Sequence, residues 1–440
     1  MPKILTFSKG GIHPKDKKEL AKHKPISDAP KPDIVHVAIR QHIGAPSKPI
    51  VKPKQEVKKG ELVAEPGGFV SAAQHSPVSG TVKFVKDVPH LMGGTVKAVQ
   101  IENDGKEEWA DGCNVETDWQ SFSADELKEK IKNAGIVGMG GATFPTHVKL
   151  SPPPDKKIDT VILNGIECEP YLTCDHRLML EDPDRVLQGL LICKKILGAE
   201  KAYVSIEANK MDAYMLMKEK AAAYDGLQVT LHKVHYPQGA EKQLIESING
   251  REVPSGGLPM DVGCVVQNVA TAAAIFDACA KNIPLIERIM TVSGDGVKET
   301  ANVRIKVGQM LKPILDHCGM SEKTKKLVFG GPMTGFAQPD AELPLSKGSS
   351  GVLALIKGVR KYEPRMCIRC ARCVDHCPVG LMPSMLSLLE EAGRLDEMEH
   401  YNALDCIECG VCTYICPSRR PMVQQIKLGK QHIMAKRKKK

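Results

Sequence analysis

Eight of the fifteen cysteines fall into two matching runs late in the chain. The first is Cys367-Ile-Arg-Cys370-Ala-Arg-Cys373-Val-Asp-His-Cys377-Pro378, and the second is Cys406-Ile-Glu-Cys409-Gly-Val-Cys412-Thr-Tyr-Ile-Cys416-Pro417. Both read C-x2-C-x2-C-x3-C-P, and each equivalent pair lies 39 positions apart. Three thiolates separated by two residues wrap three irons of one cubane from a single loop, while the fourth, beyond the loop, reaches a second cubane. The repeat therefore predicts a pseudo-symmetric ferredoxin-like fold around two [4Fe–4S] clusters. One cluster takes Cys367, Cys370, Cys373 and Cys416; the other takes Cys406, Cys409, Cys412 and Cys377. Structural zinc uses paired C-x2-C units, not triplets followed by C-P, so the spacing argues against it. Small residues such as Ala371 and Gly410 are expected to let backbone N–H groups approach the sulfurs. The other seven cysteines (Cys113, Cys168, Cys174, Cys193, Cys264, Cys279 and Cys318) follow no ligand spacing and read as small buried hydrophobes.

A chain of 440 residues exceeds the size at which one core stops growing, so several domains are expected. No run approaches the roughly 18 uninterrupted apolar residues that span a bilayer. The best candidate, Cys264 to Ala280, is broken by Gln267, Asn268 and Asp277 and reads as a buried helix. With no apolar signal segment at its start, the chain reads as soluble and cytoplasmic-facing. Charge is uneven: residues 1–60 hold 14 Lys/Arg against five Asp/Glu, and Lys436, Arg437, Lys438, Lys439 and Lys440 close the chain. Aromatics at 4% are too few for a base-stacking surface, which argues against nucleic acid. Basic ends suit an acidic partner, an anionic membrane surface or simple solvation.

Between these ends the periodicity changes twice. Residues 46–104 read as short strands with turns, at Pro49–Val51, Glu61–Glu65, Thr81–Val85 and Val96–Glu102. Gly60-Glu-Leu-Val-Ala64 with Ser76-Pro-Val-Ser-Gly-Thr-Val82 looks like the barrel sandwich of lipoyl and biotinyl domains. No lysine stands between Lys59 and Lys83, so the module cannot carry a group in that way and reads as structural or docking. Residues 130–285 alternate instead: strands Ile158–Leu163, Ala202–Glu207 and Leu227–Val234, and helices Arg185–Leu197, Met211–Tyr224, Glu241–Ser247 and Asn268–Ala280. That series predicts a parallel α/β sheet, whose strand-end loops bind ligands. Two loops stand out. Gly138-Met-Gly140-Gly141-Ala-Thr-Phe-Pro145 offers close backbone approach and exposed N–H groups for a phosphate, although it is no G-x-G-x-x-G. Asn164-Gly-Ile-Glu167-Cys-Glu169-Pro170 follows a strand directly. His232 and His235 are assigned to a strand with no ligand pattern around them.

These segments carry a resemblance. Gly138 to Lys149, Asn164 to Pro170, Tyr236-Pro-Gln-Gly-Ala-Glu241 and Gln267-Asn268-Val-Ala-Thr271 are similar to the flavin and nicotinamide loops of the NADH-binding subunit of respiratory complex I. The chain resembles still more closely, over nearly its whole length, the RnfC subunits of Rnf complexes, which are ion-translocating ferredoxin:NAD oxidoreductases. Gly10-Gly-Ile-His-Pro14, Gly330-Gly-Pro-Met-Thr-Gly335 and the paired cubane motifs belong to that likeness.

The resemblance implies FMN on Gly138, Gly140, Gly141 and Lys149, with Asn164, Gln267, Asn268 and Thr271 contributing. It implies that Glu167, Glu169, Glu241 and Phe144 line the flavin–nicotinamide pocket, the three glutamates serving catalysis. The complex I pattern has arginine at Met139, aspartate at Ile166 and glutamate at Ala240, so this pocket lacks one cation and two acids. The implied fold is multidomain, α/β and α+β. It comprises a basic segment (1–45), a barrel-sandwich hybrid (46–104) and an FMN/NAD-binding α/β domain (125–285). A soluble-ligand-binding β-grasp (286–345), a two-cluster ferredoxin-like domain (355–425) and a basic tail (426–440) follow. The implied partners are NAD(H), the other subunits of an Rnf-type complex and, through them, ferredoxin, with the chain peripheral on the cytoplasmic face of the cell membrane. Two alternatives stay open: a soluble flavin–iron–sulfur reductase, and a relay whose flavin site has decayed.

Overall fold

The computed structural model describes residues 2–91, 93–358 and 363–439. Five parallel strands form the sheet that carries the site, in the spatial order Ile4–Leu5, Leu227–His232, Lys201–Glu207, Thr160–Gly165 and Cys264–Asn268. Their apolar runs are buried on both faces, as a helix-covered parallel sheet requires. Val161, Leu163, Val204 and Val265 share a core with Val186, Leu190, Ala272 and Ile275 of the helices Pro183–Leu197 and Val269–Lys281. Ile162 and Val266 pack on the opposite face against Leu244 and Ile245 of Glu241–Asn249.

The chain steps outward from Thr160–Gly165 through Lys201–Glu207 to Leu227–His232, then returns to set Cys264–Asn268 on the other side of the starting strand. Ligands settle in open α/β sheets where the strand order reverses in this way. Asn164 and Asn268 lie opposite each other in register at that reversal.

Three expectations change. Cys264 to Ala280 is not one buried helix, because the Asn268 side chain accepts from the N–H groups of Ala270 and Thr271 and starts the helix at Val269. The β-branched Val265-Val266 pair before it is strand. Residues 1–45 are not a segment apart. Ile4–Leu5 joins the parallel sheet, Ile26–Asp28 pairs with Ala301–Lys306, and Ile34–Ala38 pairs with Thr95–Asn103. His235 lies outside the strand that ends at His232, its ring stacked between Phe7 at 4.6 Å and His13 at 4.7 Å.

The barrel sandwich combines an antiparallel sheet of Ile34–Ala38, Thr95–Asn103, Gly80–Pro89 and Glu56–Val57 with one of Lys48–Pro49, Leu62–Glu65 and Gln74–His75. Valines fill it, among them Val35, Val37, Val63, Val82 and Val99. A six-stranded mixed sheet follows, built on Glu287–Ser293 and Ala301–Lys306, covered by the helix Leu311–His317, and reaching forward to Gly351–Leu355. In the cysteine-rich part, Pro383–Glu391 and Leu395–His400 pack through Leu386, Leu389 and Met398 on Ile426 and Ile433 of Met422–Lys439. The basic end is therefore helical, with Lys436 paired to Asp396 and Arg437 to Glu399, while Lys440 lies outside the described residues. No helix among the described residues is long and apolar enough to cross a membrane.

The fully buried Lys347 ties the barrel sandwich to the α/β unit, its ammonium donating to the carbonyls of Ala73 at 2.7 Å and Gly135 at 2.8 Å. Burial pushes this ammonium from 10.5 down to about 7. Between about pH 7 and 10 the unfolded chain therefore binds more protons at this position, and stability rises with pH across that window. The melting temperature of the parent minus that of Lys347→Met should climb over the same window in a pH series of thermal scans; a flat difference would contradict the burial argument.

Candidate functional site

The glycine-rich loop crosses the mouth of the sheet reversal and is held there by short-range donors. Gly138 donates its N–H to the Phe144 carbonyl at 2.8 Å, and Met139 donates to the Thr271 hydroxyl at 2.8 Å. Gly140 is left-handed (φ +94°), and a Cβ there would stand 2.8 Å from the Asn268 amide nitrogen. That same amide donates to the Asp175 carboxylate at 2.6 Å. Asn268 thus caps a helix, limits the loop and holds an acid. Asn164 donates to the Gly239 carbonyl at 2.8 Å, fixing the neighbouring loop. Gly138, Gly140, Asn268 and Thr271 are brought together here, with Asn164 across the register.

Two features leave room for a ligand. A Cβ on the exposed Gly141 would meet nothing within 4 Å. The Gln267 side-chain nitrogen is buried with no protein partner. Lys149 ends the short helix Thr146–Lys149 and pairs with Glu241, the first residue of Glu241–Asn249, at 2.6 Å. Phe144 is half-buried.

Glu167 and Glu169 diverge. The Glu167 carboxylate accepts from the N–H of Asp175 at 2.8 Å, inside the first turn of Cys174–Glu181. Burial and this neighbouring carboxylate push Asp175 up to about 7, against the pull of the Asn268 amide. Glu169 turns away from Glu167 and accepts from the N–H of Met333 at 3.1 Å, from the N–H of Thr334 at 2.8 Å and from the Thr334 hydroxyl. Its side chain latches the Gly330–Gly335 loop, with the left-handed Glu167 (φ 47°) setting the change of direction. Two buried lysines that no motif singled out pin the backbone between them. Lys18 donates to the carbonyls of Glu169 (2.9 Å) and Leu172 (2.5 Å), and Lys210 donates to that of Ile166 (2.7 Å).

The cysteine motifs repeat in backbone as well as in sequence. Left-handed residues recur at Arg369 and Glu408, at Ala371 and Gly410, and at Gly380 and Arg419. The Arg369 N–H faces the Cys367 sulfur and the Glu408 N–H faces the Cys406 sulfur, both at 3.4 Å. Ala371 and Gly410 begin the short helices Arg372–Asp375 and Val411–Ile415, and the Val411 N–H after Gly410 faces the Cys409 sulfur. Cys377, Cys406, Cys409 and Cys412 line one apolar cavity together with Leu381, Val411 and Ile426. Burial, and then the proximity of Cys406 and Cys377, pushes the Cys409 thiol up to about 12. Cys373 and Cys416 pack together beside Cys412, while Cys370 is exposed.

The cavity of four thiols faces the α/β unit. Tyr236 donates its hydroxyl to the Cys409 carbonyl at 2.8 Å, Gln243 donates to the Pro378 carbonyl at 3.2 Å, and Gly11 donates to the His376 carbonyl at 2.9 Å. A Cβ on the left-handed Gly10 would lie 2.6 Å from that last oxygen, so only glycine fits there.

Three domain families match this chain: the RnfC barrel sandwich hybrid domain over residues 6–106, the Nuo51 FMN-binding domain over 131–277 and a 4Fe-4S dicluster domain over 366–419. The chain is 50% identical over 429 residues to the C subunit of the proton-translocating ferredoxin:NAD(+) oxidoreductase complex of Clostridium ljungdahlii, covering 96% of this chain and 93% of that one. It is 44% identical over 433 residues to the C subunit of the Na(+)-translocating ferredoxin:NAD(+) oxidoreductase complex of Acetobacterium woodii, covering 98% of each. Among solved structures, an NAD+-reducing [NiFe]-hydrogenase superposes with a TM-score of 0.51 at 19% identity, over 70% of this chain and 63% of the other, which bears on the fold alone.

Gly140→Ala should cost about 1–3 kcal/mol, because it places a side chain in left-handed backbone against Asn268. Gly141→Ala should stay within about 0.5 kcal/mol. Denaturant unfolding of the two variants checks the contrast.

Proposed function

We infer the function of this chain from one premise: it belongs to the RnfC family, the C subunits of ion-translocating ferredoxin:NAD(+) oxidoreductase complexes. We propose that it is the NAD(H)-linked electron-transfer subunit of such an Rnf-type complex, holding FMN and two [4Fe–4S] clusters. The observation that carries this reading is the pairing, in one fold, of an open glycine-lined sheet reversal with a cavity of four convergent thiols. When bound, FMN exchanges a hydride with NAD(H) and releases electrons singly, and the clusters carry them one at a time.

The residues present fit these groups. Gly141 offers open space, Gly138 and Gly140 shape the loop around it, and the unpartnered Gln267 amide offers a donor to the flavin. Asn164, Asn268 and Thr271 hold the frame, Lys149 brings a cation for the phosphate, and Phe144 closes the side. Glu167 and Glu241 remain the acids assigned to the nicotinamide pocket in this reading, whereas Glu169 supports it through the Gly330–Gly335 loop. Met139 and Ile166 are core residues, and a charge at either would be stranded away from water. This undercuts the reading of a decayed flavin site.

Cys377, Cys406, Cys409 and Cys412 hold the cluster beside the flavin domain, and Cys367, Cys370, Cys373 and Cys416 hold the outer one. Around the outer set, Met366 is 87% and Ile368 67% exposed, with the exposed Arg365, Arg369 and Arg372 near them in sequence. An apolar centre with a basic rim suits an acidic partner protein that exchanges electrons there. Ferredoxin is reached through such partners. The chain contributes no described membrane span, and in this reading it sits peripherally on the cytoplasmic face while partners move the ion. We read the six-stranded mixed sheet with its single helix as a β-grasp spacer.

Anaerobic purification should give about eight irons and one FMN per chain, with the flavin bleached by NADH. Gly141→Ala should weaken FMN retention about tenfold while unfolding like the parent. Cys412→Ser and Cys416→Ser should each remove a different cluster signal in electron paramagnetic resonance. Clusters without NADH-reducible flavin would refute the enzyme reading.

A further inference from the structure

The contact between the α/β unit and the four-thiol cavity contains a residue with no task in the reading above. The Tyr236 hydroxyl donates to the main-chain carbonyl of Cys409, itself one of the four convergent cysteines, at 2.8 Å. Tyr236 is 3% exposed, and it packs with Ile12, Cys168, Met333 and Val411. A tyrosine hydroxyl with its hydrogen on a carbonyl is a donor at physiological pH. Two further donors across this contact, Gly11 and Gln243, meet the carbonyls of His376 and Pro378, which bracket Cys377. The α/β unit therefore grips the peptides of two of the four ligands. In the other motif, Cys370 stands at the position equivalent to Cys409 and faces solvent.

We propose that Tyr236 is a positioning residue that raises the reduction potential of the cluster held by Cys377, Cys406, Cys409 and Cys412, making it the acceptor that faces the flavin domain. The proposal rests on the assignment of a cluster to those four cysteines. Reduction adds one electron to the cluster, breaks no bond and moves no proton. The added negative charge spreads over the sulfurs and the ligand peptides. A hydroxyl hydrogen aimed at the Cys409 carbonyl draws density from that peptide and holds its dipole in place, which favours the reduced form. Exclusion of water strengthens the effect, because a buried hydrogen bond is screened less than an exposed one.

The test is a redox titration of the full chain, loaded anaerobically with iron and sulfide and followed by electron paramagnetic resonance. In Tyr236→Phe, one of the two midpoints should move negative while the other stays. The change should be about fivefold in the reduced-to-oxidised ratio, roughly 40 mV for one electron. A fluorinated tyrosine at 236 keeps the shape and donates more strongly, and it should move the same midpoint positive. If Tyr236→Phe loses the cluster, the fluorinated chain decides alone: a positive shift supports the proposal and an unmoved midpoint overturns it. Unmoved midpoints in both variants overturn it as well. A parent chain with only four irons would instead overturn the cluster assignment beneath it, an outcome read before any midpoint is measured.

Discussion

The geometry of the flavin side depends on two ammonium groups that have left water. Lys18 and Lys210 are both buried, and together they bind the carbonyls of Ile166, Glu169 and Leu172. A buried ammonium is costly unless its donors are satisfied and a counter-charge is near. Both conditions are met: Glu207 lies 3.3 Å from Lys210, and Glu167 lies 4.0 Å from Lys18. Burial and the neighbouring Lys210 lower the pKa of Lys18, whereas Glu167 and Glu207 oppose that shift. The loop so held contains left-handed Glu167 and Tyr171, conformations that side chains other than glycine adopt only when the surroundings impose them. Because Lys18 comes from the start of the chain, the opening residues are part of the site's foundation.

Glu169 extends that foundation toward the metal side. Its carboxylate organises the Gly330–Gly335 loop, and the Met333 carbonyl of that loop packs where a Cβ on Gly410 would come within 2.7 Å. Residue 169 thereby joins the α/β unit, the mixed sheet and the second cysteine motif. Tyr236 reaches the same motif from another direction, and Gln243 reaches the end of the first motif at Pro378. Relative placement of the α/β unit and the cysteine-rich part is set by polar contacts, to which the Ser255 hydroxyl and the Gly256 N–H add donors to the Asp405 carboxylate.

The cysteine runs were legible without coordinates because ligand number and spacing are dictated by the shape of a cubane. The parallel sheet was legible because its strands are buried on both faces and carry unbroken apolar runs. The strand Cys264–Asn268 was not, since an apolar stretch that continues into Val269–Lys281 has no periodic break; only the Asn268 cap divides it. Nor were Lys18, Lys210 and Lys347 legible. A lysine that will be buried looks identical in sequence to one on the surface, and its partners here are carbonyls contributed by distant segments. Glu169 misled for a related reason: adjacency to Glu167 suggested a shared pocket, whereas a left-handed turn between strand and helix sent the two carboxylates apart.

The paired left-handed residues at 369 and 408, 371 and 410, and 380 and 419 show one backbone design used twice. The surroundings of the two copies differ. In the first, Arg369 and Arg372 face open solvent; in the second, Glu408 is neutralised by Lys430 and Lys427, and Val411 is sealed under Tyr236. On the proposed assignment of a cluster to each ligand set, identical ligands in unlike dielectrics make unequal electron wells. In that proposal the repeated motif is directional, with polarity supplied by its neighbours and not by its ligands.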